Sequence, residues 1–183
     1  MRLLALGLVV ALPSLGHAGP ITAGVGLGII QSQVDSAADP NHTIAIFGRL
    51  AFTPRLAGQL ELQRIQTDNQ NVDLRTASAL LVVDLGSRGR LVPVMLAGLG
   101  LDTASTTYGG DSSGHHIEGG FGLEYRADGG FSIGADVRMG GRTIDSQPVV
   151  FAPVGCSSCL ASQPSTLHDG EYRSARLTVG VRF

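Results

Sequence analysis

Between Ala175 and the C-terminus every second residue is apolar (Ala175, Leu177, Val179, Val181, Phe183), while Arg176, Thr178, Gly180 and Arg182 between them are polar or glycine. A period of two sends successive side chains to opposite faces of an extended chain, so Tyr172–Phe183 predicts a β-strand with one oily and one wet face. Such a strand is not stable alone: its backbone groups need neighbouring strands and its oily face needs an apolar surrounding. The same alternation recurs upstream over residues 21–30, 42–53, 56–66, 72–85, 91–103, 115–126 and 131–142. The fourth of these carries Ala79-Leu-Leu-Val-Val83, apolar on both faces, which leaves its register open.

Eight predicted strands are joined by connections that alternate in length. Pro54-Arg55, Gly86–Arg90 and the Asp-Gly turn at Ala127–Gly130 are short; Gln31–Asn41, Thr67–Asn71, Ala104–Gly114 and Thr143–Gly170 are long and polar. With both termini at one end, all short turns fall there and all long loops at the other. An even strand number, that asymmetry, and strands that meet the roughly 9–11 tilted residues of a membrane crossing describe a transmembrane barrel. A soluble up-and-down barrel alternates equally well. The charges separate the two. Arg49, Glu61, Glu118, Glu124, Asp136, Arg138, Arg176 and Arg182 all lie opposite their strand's apolar set. In lipid each would cost up to about 2–4 kcal/mol at mid-depth, whereas inside a narrow lumen they can pair. An eight-stranded barrel is filled by its own side chains, so these residues predict an interior ion-pair network that plugs the lumen. Phe52, Tyr125, Phe131 and Phe183 share the oily face at the short-turn end and form one aromatic girdle; Tyr108 and Tyr172 supply a weak second one.

The N-terminus begins Met1-Arg2, continues through the apolar Leu3–Leu12, and reaches Gly16 and Ala18, small residues in the positions a signal peptidase requires. Residues 1–18 are therefore expected to be a signal peptide, leaving residues 19–183 as one domain. Ten apolar residues are too few for a membrane helix, which needs about 20. The 13 basic residues are all arginine and the net charge is −2, which gives no electrostatic basis for nucleic-acid binding.

With signal, strands and terminal Phe183 in place, the chain resembles the small outer-membrane β-barrel proteins of the OmpA and OmpX type. Val92-Pro-Val-Met-Leu-Ala-Gly-Leu-Gly-Leu101 is similar to the Pro-x-x-x-x-Gly-x-Gly segment of a middle strand in that family. The resemblance implies an all-β, eight-stranded antiparallel up-and-down transmembrane barrel in the outer membrane of a Gram-negative cell. It also implies that Phe183, with Tyr172 at the other end of the closing strand, forms the signal read by the barrel assembly machinery. Expected partners are outer-membrane lipid, that machinery, and an extracellular partner of the long loops. The expected state is a monomer without cofactor. Fold alone does not transfer function. The expected role is non-enzymatic, in surface interaction or envelope integrity. Two rivals are a lipid-modifying outer-membrane enzyme and a secreted soluble barrel holding a small apolar ligand.

Three clusters could carry chemistry. Cys156-Ser-Ser-Cys159 lies in the longest connection; with His168, His115 and His116 it has the two-residue cysteine spacing of a metal site, but a local disulfide in an oxidising compartment is the simpler reading. Ser112 or Ser113 with His115 or His116 and Glu118 has the composition of a hydrolase site, though serines in a Gly-rich loop are ordinary turn residues. The interior Glu and Arg residues would serve as structural filling or, less simply, as an ion path.

Overall fold

In the computed structural model, residues 20–32, 40–66, 72–86, 89–106, 110–144 and 170–183 are described. They form eight strands: β1 Ile21–Ser32, β2 Asn41–Thr53, β3 Leu56–Gln66, β4 Val72–Asp84, β5 Leu91–Thr106, β6 Gly110–Arg126, β7 Phe131–Ile144 and β8 Gly170–Arg182. Each pairs antiparallel with its sequence neighbour, and β1 pairs with β8, closing the barrel. Closure leaves no strand edge free. The expected signal peptide, Cys156, Cys159, His168 and Tyr108 lie outside the described residues.

Burial alternates along the strands, and the outer face is an apolar belt while the charged residues of the strands' middle turn inward. Leu27, Leu60, Leu99, Leu101, Ile117, Phe121, Met139 and Leu177 are each more than 60% exposed, while Glu61, Arg138 and Arg176 are at most 4% exposed. A soluble core would have the opposite arrangement. Register follows from this: slipping β7 by one residue would turn Asp136 and Arg138 into lipid and Val137 and Met139 inward. No helix among the described residues is long and apolar enough to cross a membrane; the crossing elements are strands.

β2 and β3 are joined by a tight turn in which Thr53 Oγ accepts hydrogen bonds from the backbone N–H of Arg55 (3.2 Å) and Leu56 (3.0 Å). In the β6–β7 hairpin the left-handed residue is Gly130, at φ 79°, one beyond the Asp128-Gly129 pair the sequence pointed to. The turn closes with Gly130 N–H donating to Ala127 O at 3.2 Å and Ala127 N–H to Phe131 O at 2.8 Å, which suits a type I turn followed by a left-handed glycine.

Two expectations are corrected. Residues 104–114, read as a long polar loop, are mostly strand: β5 and β6 stay paired up to Thr106↔Gly110. Backbone pairing needs no apolar side chains, so a hairpin can project past the point where the oily alternation stops. Tyr172, read as an outward girdle residue, is 5% exposed and points into the lumen, because it shares the even-numbered face of β8 with Ser174 and Arg176. Phe52, Tyr125, Phe131 and Phe183, by contrast, are 41–80% exposed on the outer face at the short-turn end.

β4 resolves as Leu74, Thr76, Ser78, Leu80 and Val82 inward and Ala77, Ala79, Leu81 and Val83 outward or toward the rim. Its inward Val82 packs with Ala57, Val92, Val94 and Leu96 into an apolar wedge low in the lumen. A second cluster, Ile30, Ile65, Leu74, Ala104, Ile144 and Tyr172, caps the interior at the long-loop end.

Candidate functional site in the barrel lumen

The polar residues of the inner wall stack in three tiers. Nearest the short turns, Arg49 Nη1 donates to Glu124 Oε2 at 2.6 Å and Arg49 Nε to Gln59 Oε1 at 2.9 Å. Arg126 bridges Asp84 at 2.7 and 3.1 Å and Glu124 at 3.2 Å. Above them the lumen is widest in charge. Arg138 donates from Nε to Asp136 (2.7 Å), from Nη1 to Glu118 (3.0 Å) and from Nη2 to Glu61 (3.3 Å). Arg176 joins Asp136 at 3.3 Å and also pairs with Glu61. These residues come from β3, β6, β7 and β8, and each lies on the inward face its strand's alternation dictates.

The third tier was not foreseen. Ser78, Gly100, His116 and Arg142 are successive partners across β4, β5, β6 and β7. At the position between Ser78 and His116 stands a glycine; a Cβ on Gly100 would lie 2.4 Å from His116 Cε1. The missing side chain lets residues two strands apart meet: Ser78 Oγ lies 3.0 Å from His116 Nε2. Asp102, two residues along β5, places Oδ2 3.0 Å from His116 Nδ1, and Arg142 Nε donates to the same oxygen at 3.0 Å. A carboxylate only accepts, so Nδ1 carries the proton toward Asp102, and in the neutral imidazole Nε2 accepts the Ser78 hydroxyl proton. Asp102 Oδ1 has no hydrogen-bond partner among the described residues. Tyr172 sits edge-on to His116, with ring centroids 6.4 Å apart, under the Arg142 guanidinium at 4.9 Å. Its hydroxyl donates to Glu118 Oε2 at 3.4 Å, joining this tier to Arg138 below.

Serine, histidine and aspartate in this order have the connectivity of a nucleophilic triad. Their surroundings do not match that use. Ser78 is 5%, His116 4% and Asp102 1% exposed, so a lipid ester carried on the barrel's outside has no approach to Ser78 Oγ. Asp102 is also shared with Arg142, which balances the carboxylate charge without any imidazolium.

Of the residues expected to form the charge network, Arg49, Glu61, Glu118, Glu124, Asp136, Arg138 and Arg176 all face inward and make ion pairs. Arg182 keeps the inward parity but lies beyond the last buried position of β8, exposed at the rim of a cup of about 350 Å³ that opens at the short-turn end. Of the hydrolase grouping, Ser113 and His115 are exposed on the outer face, while Ser112, His116 and Glu118 share the inward face of β6; the hydroxyl that meets His116 nevertheless belongs to Ser78. Among the described residues there is no group of three or more His, Cys, Asp and Glu able to hold a metal. A sign of the third tier was present in Gly98-Leu-Gly-Leu-Asp102, where small inward positions precede an acid, but nothing local says which residues face that gap across the sheet.

Comparison with known proteins gives a consistent placement. The family model described as the outer membrane protein beta-barrel domain matches residues 3–183. The barrel is similar to the crystal structure of Neisserial surface protein A, NspA (TM-score 0.64, 15% identity, covering 90% of this chain and 96% of that one). It is also similar to the N-terminal β-barrel domain of Pseudomonas aeruginosa OprF (TM-score 0.55, 16% identity, 88% and 97%). The outer membrane enzyme PagL overlaps more loosely (TM-score 0.45, 12% identity, 89% and 99%), which carries no argument about chemistry. No curated protein matches the chain in sequence.

Proposed function

The chain belongs to the outer membrane protein beta-barrel domain family, and from that premise we propose that it is a non-enzymatic, monomeric outer-membrane barrel with a plugged lumen that acts through its long loops at the cell surface. The observation that carries this reading is the state of the interior. Glu61, Arg138 and Arg176 are at most 4% exposed and mutually paired at mid-height, with the apolar wedge filling the wall of β4 and β5 beside them. A lumen filled in this way at mid-height argues against a continuous path from one end to the other. Function then falls to the surfaces that remain: the outer belt toward lipid and the long connections at the far end. The fold shared with NspA, whose name describes a surface protein, agrees with that assignment. Export by the signal peptide, with cleavage after Ala18, and recognition of Phe183 by the assembly machinery belong to the same reading.

One observation favours a second reading, a lipid-modifying enzyme: the Ser78–His116–Asp102 chain of contacts at 3.0 Å each. The two separate cleanly. Cells expressing the wild type, Ser78→Ala or His116→Ala are compared for the mass of their extracted lipid A, and the purified barrel is treated with a fluorophosphonate serine probe. The expected result is identical lipid A in all strains and no adduct. A modification or an adduct lost in both variants, with the barrel still folded, would establish the enzyme and refute the reading above.

A further inference from the structure

On β3 and β4, at the upper margin of the outward apolar belt, Arg64 and Arg75 stand directly opposite each other across the strand pair. Like charges in that position repel, yet both side chains are aimed outward, 58% and 71% exposed. Asp73 holds them together: Arg64 Nε donates to its Oδ1 at 2.8 Å, and Arg75 donates to its Oδ2 from Nε at 3.2 Å and Nη2 at 3.0 Å. The group is thus two guanidiniums bridged by one carboxylate, a net single positive charge. Both terminal nitrogens of Arg64 and Nη1 of Arg75 have no partner among the described residues, since the bonds to Asp73 run through the other nitrogens.

The height of the cluster says what meets it. Arg64 is eight residues beyond Leu56 at the short-turn end of β3; at about 3.3 Å per residue and a tilt of about 40° that is roughly 20 Å, close to the upper edge of an apolar band about 25 Å tall. Leu62, the next outward residue below Arg64, and Ala77, below Arg75, belong to the belt. A guanidinium at that height is at the headgroup layer, where a planar donor fork matches phosphate oxygens.

We propose that Arg64 and Arg75, set by Asp73, form a docking site for the phosphate of an outer-leaflet lipid headgroup, with the lipid's acyl chains lying over Leu62 and Ala77. This rests on the orientation given above, long loops outward. The test uses the full mature barrel folded in detergent and native mass spectrometry with diphosphorylated lipid A as probe. A retained lipid is expected, with affinity reduced at least about tenfold in R64Q/R75Q by the loss of charge-assisted hydrogen bonds. Arg55→Gln, at the opposite rim, should bind as the wild type does. Unchanged binding in R64Q/R75Q overturns the proposal. So does equal binding of dephosphorylated lipid A, which would assign retention to the apolar belt, or displacement by equimolar inorganic phosphate, which would mark a plain anion site. If R64Q/R75Q does not fold, the single variants Arg64→Gln and Arg75→Gln decide, and unchanged binding in both overturns it. Protease added to intact cells reports orientation separately: loops cleaved with no lipid bound sinks the docking site, whereas loops protected with lipid bound sinks the surface assignment and leaves the site standing.

Discussion

Replacing Arg138 by leucine is the sharpest test of the plugged lumen. Arg138 is 2% exposed and donates to Asp136, Glu118 and Glu61 at 2.7, 3.0 and 3.3 Å. In the wild type, three carboxylates face two guanidiniums, Arg138 and Arg176. After substitution, Arg176 still reaches Asp136 and Glu61, but Glu118 keeps only the weak 3.4 Å bond from the Tyr172 hydroxyl. Removing one member of a buried ion pair costs about 3–5 kcal/mol because the partner's desolvation is no longer offset. About 4 kcal/mol is close to three decades in the folding equilibrium. The assay is urea unfolding of the barrel in detergent, followed by the mobility difference between boiled and unboiled samples. Combining Arg138→Leu with Glu118→Gln completes a cycle: once Arg138 is gone the uncharged amide should recover part of the loss, a coupling of about 0.5–3 kcal/mol. A cost below about 1 kcal/mol for Arg138→Leu, or strict additivity in the cycle, would show that the tier is solvated and that pairing does not hold the interior together.

Gly100→Ala would put a methyl 2.4 Å from His116 Cε1 and 2.5 Å from Ala77 O, so the third tier should be displaced and urea stability should fall by about 1–3 kcal/mol; a neutral substitution would mean the Ser78–His116 contact is not tight. Phe183 has an 80% exposed ring, and its backbone N–H donates to Ile21 O at 2.8 Å across the β1–β8 seam. Deleting it should leave detergent folding nearly unchanged and cut the folded yield in cells, and equal losses in both settings would assign Phe183 to stability alone.

Much of the barrel was legible because alternation is a local property. Val179, Val181 and Phe183 outward with Arg176 and Ser174 inward needs only a period of two and the cost of a charge in lipid. β4 was not legible, since Ala79–Val83 is apolar at both parities and only its partners decide which set turns in. β5 and β6 were read too short, because Ala104–Thr106 and Gly110–Gly114 have no oily face to mark them although their backbones pair.

The sequence by itself determined the strand number, the antiparallel order, the outward belt and the inward position of seven charges that end up paired, because each is written in the parity of a single strand. Only the closed barrel decided which charges meet: Arg138 with Glu61, Ser78 with His116 across Gly100, and Tyr172 with Glu118 join residues far apart in the chain. Those contacts depend on the register between strands and the curvature that brings opposite walls together, and neither quantity is carried by the residues of any one strand.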